Sequence, residues 1–112
     1  MEVVRELLAR GAAVDPAKND GCTPLFIASQ RGHLAVVREL LARGAVIDAT
    51  TNLGTTPLLI ASQNGLLEVV RELLARGALP GVVAHNGMTA LSTATARGHP
   101  AVVQLLRAAL GL

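Results

Sequence analysis

Aromatic residues are almost absent from this 112-residue chain, in which Phe26 is the only one. Because 51 % of the residues are nevertheless hydrophobic, a core can form, and it must be built from Leu, Val, Ile and Ala. Such small aliphatic side chains suit thin, closely packed helices. The lack of Trp and Tyr also removes two of the residue types that dominate binding hot spots, so no high-affinity cluster stands out.

Long apolar runs and tracts of one charge are missing as well. No segment approaches the length of a membrane span, and Glu2 with the amphipathic stretch behind it does not resemble a signal peptide. The ten basic and eight acidic residues are interspersed, which argues against a nucleic-acid partner. Cys22 is the only cysteine, so no disulfide can form within the chain, and we expect a reducing compartment, the cytoplasm or the nucleus.

What the sequence does contain is an internal repeat. The ten letters VVRELLARGA occur at residues 3–12, 36–45 and 69–78, at an offset of 33 residues. Aligned on them, the chain divides into a leading half unit, 1–20, two full units, 21–53 and 54–86, and a shorter unit, 87–112. A repeat of this length is one supersecondary unit that buries its apolar face by stacking on its neighbours. We therefore expect one domain over residues 1–112.

Each full unit has the pattern of two helices followed by a finger. Thr23 and Thr56 each precede a proline, as an N-cap residue precedes Pro at the first helical position. The first helix of the unit is predicted over 24–31, with Gly32 as its stop, and the second over 34–43, with Gly44 as its stop. An i, i+4 ion pair between Glu39 and Arg43 should support the second helix. Residues 46–52 read as an extended finger with a tight turn.

The motifs TPLFIA at 23–28 and TPLLIA at 56–61, with VVxxLL and Gly-Ala later in each unit, resemble the ankyrin repeat. This resemblance covers almost the whole chain. It implies an all-α solenoid of stacked helix–turn–helix units with short finger turns. The chain departs from the T-P-L-H motif, because Phe26, Leu59 and Ser92 stand where the family has histidine. At Phe26 and Leu59 we expect apolar contacts in place of the hydrogen bonds of that histidine.

Ankyrin stacks bind other proteins through the finger tips and the exposed edge of the first helix, so the resemblance implies a binding surface here. Carried over position by position, this predicted surface comprises Asn19, Asp20, Cys22, Gln30, Arg31, Asn52, Leu53, Thr55, Gln63, Asn64, His85, Asn86, Met88, Ala96 and Arg97. Cys22, Leu53 and Met88 are its candidate apolar anchors.

Catalysis is not expected. Cys22 could act as a nucleophile with His33 or His99 as its base, but Cys22 occupies a variable tip position. The two histidines recur at the same place in their units, which is typical of a structural role. The chain shows no metal-ligand spacing and no phosphate-binding loop, so we predict a protein that is no enzyme and uses no cofactor or metal.

Charged columns run along the second helices. Arg5, Arg38 and Arg71 could form an anion-binding stripe, but the neighbouring column of Glu6, Glu39 and Glu72 favours a solvated face. At the C-terminal end, Arg107 replaces the leucine of the earlier units and reads as a polar cap, which Leu105, Leu106, Leu110 and Leu112 would weaken. The last finger carries Gly81 where the previous one has Asp48, so we expect it to be less fixed by hydrogen bonds and more apolar.

The first copy of the ten-letter repeat lacks a first helix of its own. Its Val3, Val4, Leu7 and Leu8 would leave an apolar face bare, which predicts either a fragment of a longer array or self-association through these residues. For function, the sequence favours a non-catalytic protein–protein interaction module or such a fragment. The alternative is an engineered or consensus-like repeat scaffold with no selected partner, since the units are nearly identical.

Overall fold

The computed structural model describes residues 21–112, and these residues form six α-helices and no strand. The first helices of the three units are α1 (Pro24–Arg31), α3 (Pro57–Gln63) and α5 (Ala90–Ala96). The second helices are α2 (Leu34–Ala42), α4 (Leu67–Ala75) and α6 (Pro100–Leu110). The all-α prediction is therefore confirmed, whereas Val3, Val4, Leu7, Leu8, Asn19 and Asp20 lie outside the described residues.

The first helices begin as the Thr-Pro pairs predict. The Thr23 hydroxyl accepts a hydrogen bond from the Phe26 N–H at 3.1 Å, and the Thr56 hydroxyl accepts one from the Leu59 N–H at 3.1 Å. Phe26 and Leu59 are buried, which confirms the apolar replacement of the family histidine. These caps satisfy backbone donors that the first turn of a helix leaves unpaired.

In the third unit Ser92 takes part in capping the first helix, a role that its sequence position alone does not predict. The Thr89 hydroxyl accepts from the Ser92 N–H at 3.1 Å, and the Ser92 hydroxyl accepts from the Thr89 N–H at 2.8 Å. This reciprocal pair is a capping box. A side chain at the histidine position thus ties the turn to the helix by hydrogen bonds in this unit alone among those described.

The helix ends are close to the predicted ones. α1 ends at Arg31, as predicted, and is capped by Gly32, whose φ of +74° is the left-handed conformation that glycine adopts without strain. α2 ends at Ala42, one residue before the predicted end, because Arg43 has already left the helical conformation. The Glu39–Arg43 pair is present at 3.5 Å. α6 reaches Leu110, because its glycine stop comes later, at Gly111.

The units stack helix on helix. α1, α3 and α5 pack in one layer and α2, α4 and α6 in a second, and each first helix packs on the second helix of its own unit. The core cluster between the layers includes Leu25, Leu40, Leu58, Leu73 and Leu106. The expectation that Leu106 weakens the outer cap was wrong, since Leu106 occupies the core position of Leu40 and Leu73. Arg107 is exposed, as a cap residue should be.

The fingers end in tight turns that are joined to one another. The Thr51 N–H donates to the Thr55 carbonyl and the Ala84 N–H to the Met88 carbonyl, each at 2.9 Å. Between fingers, the Leu79 N–H donates to the Asp48 carboxylate at 3.1 Å. Gly81 offers no carboxylate at the position of Asp48, and Leu79 and Val83 beside it are exposed. The preceding finger also exposes two large apolar side chains, Val46 and Leu53, so a last finger that is more apolar and less fixed stays a prediction.

Candidate protein-binding surface

The residues predicted to bind a partner lie on two elements, the finger tips and the C-terminal ends of the first helices. Within residues 21–112, most of them are exposed, namely Gln30, Arg31, Asn52, Leu53, Asn64, His85, Asn86, Ala96 and Arg97. The half-buried ones are Cys22, Thr55, Gln63 and Met88. We refer to these thirteen residues as the finger surface.

Leu53 at the tip of its finger is the most exposed large apolar side chain of the described residues, at 72 %. Its backbone is held on both sides, because its N–H donates to the Thr51 hydroxyl at 3.3 Å and its carbonyl accepts from the His85 N–H at 2.9 Å. The fold therefore presents an apolar side chain to solvent on a tip that hydrogen bonds fix to the next finger.

The other two candidate anchors are less available than the sequence suggested. Cys22 and Met88 are both half-buried. The Met88 sulfur lies 3.8 Å from the Ser92 hydroxyl, which donates to it, so this side chain turns back towards its own helix. Of the three candidate anchors, Leu53 is therefore the most exposed.

At the helix ends, polar residues of the finger surface bind the neighbouring unit. The Asn64 side-chain amide donates to the Gln30 carbonyl at 3.0 Å. The His99 ring lies 2.9 Å, through Nε2, from the Gln63 carbonyl. Both contacts satisfy carbonyl groups that the C-terminus of a helix leaves unpaired. At this surface, adjacent units are therefore joined by hydrogen bonds from a side chain of one unit to a backbone carbonyl of the preceding unit.

Two large apolar residues of the fingers are exposed but lie outside the predicted set. Val46 and Leu79 occupy the same position in successive units and are 56 % and 60 % exposed. The helical periodicity gave no signal for them, because they follow the glycine that ends each second helix. Aligning the fingers of the repeat would have shown an apolar residue at this position in both units.

On the face formed by the second helices, Arg38 of the arginine column forms an ion pair with Glu72 of the glutamate column. Glu72 accepts hydrogen bonds from the Arg38 Nε–H at 3.0 Å and from the Arg76 Nε–H at 2.9 Å. Arg38 belongs to the preceding unit, so the carboxylate joins two units. These contacts, the one with Arg38 foremost, lower the pKa of Glu72 below its usual range. The prediction of a solvated, charge-balanced face is confirmed for this pair of units.

We expect this carboxylate to make stability depend on pH. Since the folded state lowers the pKa of Glu72, its contribution is complete above the pKa of the unfolded chain and disappears as the pH falls through the lowered value. Glu72→Gln should therefore unfold at lower urea concentration than the parent at pH 7, and the difference should shrink steadily below about pH 4.5. Urea titrations of both proteins from pH 7 to pH 3 measure this. A difference that stays constant over this range would contradict it.

Other kinds of site find little support in the described part of the chain. Between residues 21 and 112, no three His, Cys, Asp or Glu side chains come together in a way that could hold a metal ion. None of the six helices is long and apolar enough to cross a membrane.

Stacked helix pairs with joined fingers define a helical repeat solenoid. The family model described as "Ankyrin repeats (3 copies)" matches residues 1–51 and 44–111. The chain therefore belongs to the ankyrin repeat family, whose members generally serve as protein–protein interaction modules without catalytic activity. No curated protein gives a match to this sequence.

Proposed function

We propose that the chain is a non-catalytic module that binds another protein through the finger surface. The observation that carries this proposal is Leu53, an apolar side chain that is 72 % exposed on a hydrogen-bonded tip. A leucine held in this way loses little conformational freedom on binding, so its burial against a partner is not offset by the cost of ordering a loop. Exposed polar residues lie beside it, Asn52 as its neighbour in the chain and His85 through its backbone hydrogen bond, as the rim of an interface requires.

The test is a pull-down with quantitative comparison of three proteins. The parent should retain a partner that the variant Leu53→Glu, Gln63→Glu, Met88→Glu loses, because three carboxylates would then be buried without counter-charges. The matched control is Ala35→Glu, Ala42→Glu, Ala75→Glu, which adds the same charge at exposed positions of the second helices. Circular dichroism confirms that all three are folded. A partner retained equally by all three would exclude the finger surface.

The same experiment decides the alternative, an engineered or consensus-like scaffold with no selected partner. The near-identity of the units favours it, because 36–45 and 69–78 agree letter for letter. In that case no protein would be enriched by the parent over the triple-glutamate variant. The cytoplasm or nucleus stays our proposed location, supported by the single cysteine.

Self-association through Val3, Val4, Leu7 and Leu8 stays a prediction, since these residues lie outside the described part of the chain. Light scattering over a concentration series would detect it as a rise in mean mass. The variant Val4→Glu, Leu8→Glu should abolish the rise. A mass that is constant at the monomer value would contradict self-association.

A further inference from the structure

A groove of about 260 Å³ lies between α4 and α6, on the face opposite to the first helices. Its lining combines apolar side chains with one cation, and consists of Leu67, Arg71, Ala101, Gln104, Leu105 and Ala108. None of these residues belongs to the finger surface. The groove is therefore a separate feature of the second-helix face.

At the corresponding position between α2 and α4, the preceding pair of units has a salt bridge. Between α2 and α4, the Arg38 guanidinium meets the carboxylate of Glu72 at 3.0 Å. One unit further on, Arg71 stands in the place of Arg38, but Leu105 stands in the place of Glu72. Of the two boundaries between described units, only the one at the groove has an apolar side chain in place of the carboxylate that would pair with the arginine.

Arg71 is left with a weak partner. Its Nε lies 4.0 Å from the Glu68 carboxylate on its own helix, and both side chains are more than half exposed. At this distance and exposure an ion pair contributes little, because water screens both charges. The guanidinium can therefore donate hydrogen bonds to a better-placed carboxylate, while Leu67 and Leu105 beside it offer apolar contact.

We propose that this groove binds an acidic–apolar segment of a partner protein, in which a Glu or Asp carboxylate pairs with Arg71 and a neighbouring aliphatic side chain packs on Leu67 and Leu105. The charge of Arg71 selects the carboxylate, and the apolar lining favours a protein segment over a nucleic-acid phosphate. Arg76, which also holds Glu72, has Ala109 as its counterpart in the last unit. A bound carboxylate would meet one arginine rather than two, so we expect weak, reversible binding.

The probe is a fluorescein-labelled, blocked helical peptide of about 15 residues with one Glu between two Leu on the same face. Its twin carries Gln in place of that Glu. We expect fluorescence anisotropy to show binding of the Glu peptide at least about threefold tighter than that of the twin at low salt, with the difference falling as salt is added.

Two matched pairs of variants locate the binding. Arg71→Gln should lower the affinity for the Glu peptide at least about threefold. Arg38→Gln should leave this affinity unchanged, because Glu72 already occupies the corresponding place beside Arg38. Leu105→Glu restores the residue of the earlier units, so its carboxylate should pair with Arg71 and displace the peptide. Leu105→Gln has the same shape without the charge and should bind far better than Leu105→Glu.

Several results would overturn the proposal. They are equal affinity for the two peptides, equal losses in Arg71→Gln and Arg38→Gln, and displacement of the peptide by a short single-stranded oligonucleotide. A concentration-dependent dimer that Leu105→Glu abolishes would make a second copy the occupant, and would also overturn it. Leu53→Ala removes the proposed anchor of the finger surface without changing the charge, and it should bind the peptide like the parent, which keeps this test independent of the finger surface.

Discussion

Replacing Leu73 with alanine is expected to lower the free energy of unfolding by about 2–5 kcal/mol, which is a large share of the stability of so small a domain. Leu73 is 0 % exposed and belongs to the core cluster. Its helix, α4, packs on α2, on α6 and on α3 of its own unit. Because a stack of repeats is held together by contacts between neighbours, a cavity in the middle unit weakens the interfaces on both sides.

Urea unfolding followed by circular dichroism measures the loss, and Leu53→Ala is the matched control. The control makes the same chemical change at a side chain that is 72 % exposed, and we expect it to alter stability by no more than about 0.5 kcal/mol. The two variants should share the slope of the urea dependence if both unfold in one step. Equal losses at Leu73 and Leu53 would contradict the placement of the core described above.

The sequence could predict those features of the fold that depend on local rules. Thr23 and Pro24 fix the start of α1, and Gly32 fixes its end, because capping and left-handed backbone geometry need no knowledge of the rest of the chain. The offset of 33 residues then carries each assignment to the next unit. For the same reason the finger surface could be placed approximately, since repeat position determines which residues reach a tip.

What the sequence could not predict depends on how one unit is rotated on the next. The contact of Arg38 with Glu72, the hydrogen bond from Asn64 to the Gln30 carbonyl and the turned-back Met88 all depend on side-chain positions across or beside a unit boundary. Aligning the repeat units shows that Leu105 stands at the position of Glu72. The consequence of this exchange, an arginine with a weak partner beside an apolar groove, becomes visible only with the packing of α4 against α6.

Gly65→Ala is expected to cost about 2–5 kcal/mol of unfolding free energy, because two penalties add. Gly65 has a φ of +69°, at which an alanine is strained by about 1–2 kcal/mol. A Cβ atom on Gly65 would also lie 2.5 Å from Nδ1 and 2.6 Å from Cε1 of the His99 ring. The ring cannot move aside freely, since Nε2 lies 2.9 Å from the Gln63 carbonyl, so crowding should cost about 1–3 kcal/mol more.

Gly98→Ala separates these two penalties. Gly98 stands at the same position in the next unit with a φ of +74°, but a Cβ atom there would have no heavy atom within 4 Å beyond its chain neighbours. Gly98→Ala should therefore lower the free energy of unfolding only by the cost of backbone strain, about 1–2 kcal/mol. Adding His99→Ala to Gly65→Ala removes the clash, so the double variant should be more stable than the sum of the two single losses predicts. Additive losses, or a Gly98→Ala as unstable as Gly65→Ala, would show that the His99 ring does not press on Gly65 and that backbone strain alone sets the cost at both positions.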